Sequence, residues 1–309
     1  MDNFYDIIIV GGGPAGISAA IYAKRAGRNV AVIEKFVPGG QLSLIGEIEN
    51  YAGFARIEGS DLANKFYEHA KSLDIPFIMD EVVDYYLNGD IKEVKCKRNS
   101  YKAYSIIIAV GSHSKELNIE GEKEYKGRGV SYCALCDGNF FKNKDVAVVG
   151  SGDSAFSDAL YLSNICNKVY VLTKANLKLH NYAENEFDDK ENVVILRGAL
   201  SKKIEGETSL KKLYFEQNNE EKNIDVDGVF VAIGRSPDTG LLKDKVDLNA
   251  SGYINTGSLM KTNIEGVFAC GDVRSDSMKQ IATAVGDGAI AGNEASKYVL
   301  RKLYSKNKN

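Results

Sequence analysis

Cys133 and Cys136 stand at C-x-x-C spacing inside Ser131-Tyr-Cys-Ala-Leu-Cys-Asp-Gly138. Two sulfurs so placed can close a small disulfide or supply half of a metal site. A structural zinc needs four ligands, commonly a second C-x-x-C or a histidine pair. His69, His113 and His180 are scattered, and Cys96, Cys166 and Cys270 stand singly. The pattern therefore favours redox chemistry, and no metal is expected. A redox dithiol works through a thiol of lowered pKa. Asp137, beside Cys136, opposes a thiolate by like charge, so a protonated acid–base role suits it better than an electrostatic one. The three single cysteines read as small buried apolar residues.

The elements that must position such a pair alternate between strand and helix. Asp6–Val10 reads as a buried strand, and Gly11-Gly-Gly-Pro-Ala-Gly16 turns the chain. Ile17, Ala20 and Ile21 then recur at helical spacing, Gly27 stands where a helix should stop, and Val30–Ile33 is a second strand. This β-α-β unit implies a parallel sheet covered on both faces. Leu62, Phe66, Ala70 and Leu73 form a further helical stripe behind a Ser60–Asp61 start signal. The pattern restarts at Lys144, with strand Asp145–Val149, turn Gly150–Ala155, helix Ala155–Ser163 and strand Val169–Leu172. The Tyr85–Tyr86 pair reads as strand or turn filler.

The first turn satisfies G-x-G-x-x-G directly after a strand. Gly11 permits the tight turn, Gly13 lets the backbone approach a pyrophosphate, and Gly16 allows close helix–strand packing. The helix N-terminus offers free N–H groups to phosphates. Glu34, 23 residues after Gly11, is placed to hold ribose hydroxyls. These features together predict dinucleotide binding.

Length and composition bound the rest. A chain of 309 residues suggests two domains. The net charge of −3 argues against nucleic acid, which wants a basic face. No apolar run approaches the ~20 residues needed to span a bilayer, and the N-terminus has no signal-peptide character. An odd cysteine count suits a reducing cytoplasm. Lys297, Arg301, Lys302, Lys306 and Lys308 read as a solvated helix end with a frayed tail.

Several segments carry a specific resemblance. Gly39-Gly-Gln-Leu42, Glu49-Asn-Tyr-Ala-Gly-Phe54, Gly127–Gly138, Gly228–Thr239 and Gly266–Asp272 cover the chain from end to end. Together they resemble low-molecular-weight bacterial thioredoxin reductases. The resemblance implies an α/β fold of two Rossmann-like three-layer domains, the second inserted into the first. An FAD-binding domain would comprise residues 1–113 and 243–309, and a redox domain residues 114–242. It implies FAD held by Gly11, Gly13, Pro14, Ala15, Gly16, Glu34, Lys35, Gly40, Gln41, Leu42, Asn50, Val83, Ala109 and Gly111, and by Gly271, Asp272, Lys279, Gln280 and Ile281. Cys136 would meet the flavin, Cys133 would attack the disulfide of thioredoxin, and Asp137 would donate the proton. A homodimer and a rotation of the inserted domain are also implied.

The chain departs from the family at one place. NADPH-dependent members carry H-R-R-x-x-x-R after the second strand of the inserted domain and a Glu pair in the helix before it. Here the stretch is Thr173-Lys-Ala-Asn-Leu-Lys-Leu179, and the Glu pair is Ser157–Asp158. The 2′-phosphate of NADPH needs forked donors. Losing two or three charge-assisted bonds costs several kcal/mol, at least about a hundredfold in affinity. NADH would want an acid near Thr173, and none is present. The resemblance is therefore strongest to ferredoxin-dependent flavin thioredoxin reductases, which lack the NADPH motif. Their acidic ferredoxin would dock on a basic face drawn from Lys123, Lys126, Arg128, Lys142 and Lys144. The alternatives are an NADPH-dependent reductase using Lys174 and Lys178, a flavin dithiol oxidase, and a flavoprotein scaffold with an idle C-x-x-C.

Overall fold

The computed structural model describes residues 3–174, 184–187 and 190–306. The chain divides into two compact units, one made of Met1–His113 with Ser236–Asn309 and the other of Ser114–Arg235.

In the first unit, β-branched and apolar residues make strands buried on both faces. Phe4–Val10 pairs in parallel with Val30–Glu34 on one side and Ser100–Ile108 on the other. Phe77–Met79 extends the sheet beyond Val30–Glu34, and Val267–Ala269 joins Ile106–Ile108. An antiparallel ribbon, Val82–Tyr86 with Lys92–Cys96, completes it along the other half of Ser100–Ile108. Tyr85 of that ribbon is buried and Tyr86 exposed.

Helix α1 (Pro14–Arg25) covers one face and ends where expected: Gly27 has φ +75 and its N–H returns to Lys24 O. Helix α2 (Gly59–Ser72) begins one residue before the Ser60 start signal, with Glu58 as its N-cap, and Leu73 caps its end. A short helix, α3 (Ala134–Asp137), and helix α4 (Asp153–Ser163) belong to the second unit. The longest element, α5 (Ile281–Lys306), packs against α1. Backbone contact makes that packing possible. A Cβ at Gly288 would lie 2.1 Å from Ala15 O, and one at Gly292 2.3 Å from Ala19 O. Ser18 Oγ donates across the same seam to Val285 O at 2.8 Å.

At the end of α5, Lys297 and Arg301 are exposed, as expected of a solvated helix end. Lys302 is partly buried and pairs with Asp90, and Lys297 pairs with Glu294 at 2.7 Å.

The second unit repeats the pattern. Its parallel sheet runs in the order Val130–Ser131, Gly228–Val231, Asp145–Val149, Lys168–Thr173, Val193–Arg197. A three-stranded antiparallel sheet, Leu200–Gly206, Leu210–Gln217 and Glu220–Asp225, is appended. The mixed α/β architecture with parallel sheets agrees with the fold class read from sequence. Cys96, Cys166 and Cys270 are buried free thiols, as expected. Among the described residues no helix is long and apolar enough to cross a membrane.

Candidate functional site

The dithiol is built from a strand end and one turn of helix. Val130–Ser131 ends its pairing with Val229–Phe230, and α3 starts at once with Cys133 as its N-cap. That geometry brings Cys133 and Cys136 to a Cα separation of 5.3 Å, and they form a disulfide. Cys133 Sγ also accepts the Cys136 N–H at 3.2 Å. Leu135, between them, is exposed, whereas Ala134 is buried in the core of the unit.

Asp137 closes α3 under two opposing influences. Burial pushes its carboxyl above the usual carboxylate range, and the weaker influence of a hydrogen bond from Ser131 pulls it down. Ser131 Oγ lies 2.6 Å from Asp137 Oδ2 and also accepts the Cys133 N–H at 3.1 Å. Ser131 thus links the Asp137 carboxyl to the backbone of the first cysteine, a link that its neutral type did not announce. A second support is Glu122. Only 1% exposed, it accepts the N–H groups of Leu117 and Asn118 and the phenol of Tyr132 at 2.9 Å.

In the first unit Gly11, Gly16 and Ala109 of the predicted cofactor residues come together by backbone approach. A Cβ on Gly11 would lie 2.3 Å from Ala109 O, and one on Gly16 1.8 Å from Gly11 O. Gly13 differs: its Cβ position faces only Gly39 O at 4.0 Å, leaving space in front of the turn. Gly13 is the N-cap of α1 and provides no side-chain cap, while Pro14 opens the helix. The first-turn amides are therefore left to an anion. Glu34 is buried, and its two oxygens accept Gly12 N–H at 2.7 Å and Phe36 N–H at 2.9 Å. Those bonds fix a carboxylate beside the turn with acceptor capacity remaining.

Of the remaining predicted residues, Gly40 and Gly271 approach this turn. Gly40 has φ +56 and approaches Gly13, and Gln41 Nε2 donates to Ser112 O at 2.8 Å beside Gly111. Leu42 is buried in a small cluster against which Ile281 packs. Asn50 Nδ2 donates to Gln280 Oε1 at 3.1 Å. Gly271 packs on Ala15, and Asp272 follows in a short turn, Gly271–Val273. Lys279 Nζ donates to Arg274 O at 2.7 Å and lies over the Tyr253 ring. Lys35 pairs with Asp238 at 3.8 Å, as does His113 at 3.5 Å. Val83 stands exposed on Val82–Tyr86. A pre-shaped phosphate turn, a fixed carboxylate and a second approach at Gly271 fit a dinucleotide such as FAD.

The equivalent turn of the second unit differs at the same register. Val149 pairs with Leu172 as Val10 pairs with Ile33, so Thr173 occupies the place of Glu34. Ser151 replaces Gly12, and the two hydroxyls bond to each other at 2.7 Å. Gly150 is demanded by packing, since a Cβ there would lie 2.3 Å from Ala232 O, whereas nothing crowds Gly152. In α4, burial pushes Asp158 up to about 6. Residues Ala175, Leu177, Lys178, Leu179 and His180 lie outside the described residues.

Among the described residues no group of three or more potential ligands is gathered for a metal ion.

Comparison with known proteins places these features in a lineage. A thioredoxin reductase of Bacillus subtilis is 39% identical over 96% of this chain and 96% of its own length. The crystal structure of thioredoxin reductase from Streptococcus pyogenes superposes with a TM-score of 0.91 at 38% identity, covering 97% of this chain and all of that one. A ferredoxin-flavin thioredoxin reductase from Clostridium acetobutylicum gives a TM-score of 0.55 at 33% identity, over 97% of this chain and 99% of its own. Residues 5–288 match the family described as pyridine nucleotide-disulphide oxidoreductase. A formed C-x-x-C disulfide, a dinucleotide turn in the other unit and this match lead to one conclusion: the chain is an FAD-dependent enzyme of the pyridine nucleotide-disulphide oxidoreductase family.

Proposed function

We propose that the chain is a thioredoxin reductase that draws its electrons from a ferredoxin rather than from NADPH. In this reading the first unit (1–113 with 236–309) holds FAD and the second carries the working dithiol, in a cytoplasmic homodimer. The observation that carries it is the Cys133–Cys136 disulfide, closed beside a carboxyl that burial keeps inclined to hold its proton.

Bound FAD supplies the exchange between a one-electron donor and a two-electron disulfide. Reduction of the Cys133–Cys136 bond takes two electrons and two protons and frees both sulfurs. Cys133 Sγ, the sulfur that accepts the Cys136 N–H, attacks the disulfide of thioredoxin as a thiolate. The thioredoxin sulfur that leaves takes a proton, and Asp137 is the group placed to give it. Cys136 Sγ then displaces the second thioredoxin sulfur and closes the pair again.

The donor reading rests on the second unit. Thr173 and Ser151 satisfy each other where Glu34 and Gly12 frame the first turn. Lys174 is the one cation among the described residues of the stretch where NADPH-dependent relatives carry arginines. A ferredoxin near about −400 mV delivers two electrons to thioredoxin near about −270 mV with a fall of roughly 6 kcal/mol. Exposed Lys126, Lys142 and Lys144 on the second unit suit an acidic protein. The open approach to Gly152 favours one competing reading, an NADPH-dependent reductase.

The test is anaerobic. Flavin absorbance is followed after adding reduced ferredoxin, NADPH or NADH, and oxidised thioredoxin is then supplied. Rapid bleaching by ferredoxin alone is expected. Rapid bleaching by micromolar NADPH would remove ferredoxin from the proposal and leave the reductase reading intact.

A further inference from the structure

Arg274 and Asp287 form a largely buried ion pair that the dithiol chemistry does not use. Arg274 is 7% exposed. Its Nη1 lies 2.7 Å from Asp287 Oδ2, and its Nε donates to Thr256 Oγ1 at 2.6 Å. The same Asp287 oxygen accepts the N–H of Gly271 at 3.1 Å. Arg274 N–H donates in turn to Gly271 O at 3.1 Å. One carboxylate on α5 therefore holds both ends of the turn that contains Asp272.

This turn has little freedom to be placed elsewhere. Gly271 has φ +75, and a Cβ on it would lie 2.7 Å from the Cβ of Ala15, in the first turn of α1. Thus α5, through Asp287, sets the distance between the Gly271 backbone and the helix whose N-terminus offers its amides. An acid buried alone at this place would be costly and would repel a phosphate, and Arg274 offsets both effects.

We propose that Asp287, held by Arg274, is a positioning residue for the cofactor: it fixes the Gly271 amide, and with it the Asp272 turn, before FAD arrives. The inference rests on the reading that the Gly11–Gly16 turn and the Gly271–Asp272 segment both face FAD. Asp287 does not touch the cofactor in this account and acts only through the Gly271 backbone.

Single substitutions would strand a buried charge and destabilise the fold, so two double variants are the test. Arg274→Met/Asp287→Asn removes both charges and keeps an acceptor for the Gly271 N–H. Arg274→Met/Asp287→Ala removes both charges and the acceptor. Each FAD-stripped chain is titrated with FAD by fluorescence quenching, and with ADP, which reaches only the α1 turn and Glu34. The Asn double variant is expected to bind FAD within about threefold of the native chain. The Ala double variant is expected to bind it about tenfold more weakly, the worth of one hydrogen bond. ADP affinity and melting temperature should be alike for the two. Equal FAD affinity in both doubles overturns the inference and leaves the cofactor reading untouched. A native chain that binds neither FAD nor ADP overturns both. Should a double variant fail to fold, amide exchange in the native FAD-free chain decides. A protected Gly271 amide supports the inference, and free exchange there overturns it.

Discussion

Ser131 Oγ donates to Asp137 Oδ2 at 2.6 Å while accepting the N–H of Cys133. The bond favours the ionised carboxylate, against burial, which disfavours it more strongly. Ser131→Ala should therefore raise the Asp137 pKa further and move the basic limb of the thioredoxin-reduction profile to higher pH. A pH–rate series checks the direction.

Asp137→Asn separates chemistry from stability. If Asp137 is the general acid proposed above, its loss should slow turnover about a hundredfold. Burial gives the folded chain a higher Asp137 pKa than the unfolded chain. The associated stability is complete below the unfolded value, about 3.9, and is lost as pH rises through the folded value. At pH 7 the Asn variant should melt no lower than the native chain while its activity falls.

Asp158 obeys the same sign with a larger window. Its folded value is about 6, against about 3.9 unfolded. Asp158→Asn should nearly match the native chain at pH 4 and gain on it as pH rises from 4 through 6, by on the order of 3 kcal/mol at pH 7. Thermal melts across that range test it.

Two glycines of α5 predict opposite outcomes. A Cβ at Gly288 meets Ala15 O at 2.1 Å and Ser18 Cβ at 2.9 Å, whereas nothing lies within 4 Å of one at Gly286. Gly288→Ala should force α1 and α5 apart at a cost of about 1–3 kcal/mol. Gly286→Ala should add about 0.5–1 kcal/mol through helix propensity. Denaturant unfolding compares them.

The paired dinucleotide turns give a similar contrast. Gly13 and Gly152 both face open space, so Val at either should spare the fold. Gly13→Val should abolish FAD retention, read from the absorbance of the purified chain. Gly152→Val should leave ferredoxin-driven thioredoxin reduction unchanged; a marked loss would point to a working nucleotide site in the second unit.

The residues that carry local signals were legible in the sequence. Glu34 could be picked out at 23 residues from Gly11 because strand register fixes that distance, and the Gly12 N–H meets it. The C-x-x-C pair needed only one helical turn to close. Contacts that depend on tertiary folding were not legible. Arg274 and Asp287 are 13 residues apart, and neither type nor spacing marks them as partners. Gly288 and Gly292 stand one helical turn apart, yet nothing in the sequence names α1 as the surface they meet. The appended antiparallel sheet also escaped, because Leu200–Gly206 alternates poorly, with two lysines and a glutamate among its seven residues.

Turnover of the Cys133–Cys136 bond is the central step, and thiol trapping with mass spectrometry measures that bond directly. The chain is reduced anaerobically by its donor, alkylated before or after oxidised thioredoxin is added, and digested. Cys133 and Cys136 should both be alkylated before thioredoxin and protected as the restored disulfide after it, with Cys96, Cys166 and Cys270 unchanged. A Cys133–Cys136 disulfide that stays closed while thioredoxin is being reduced would contradict the account.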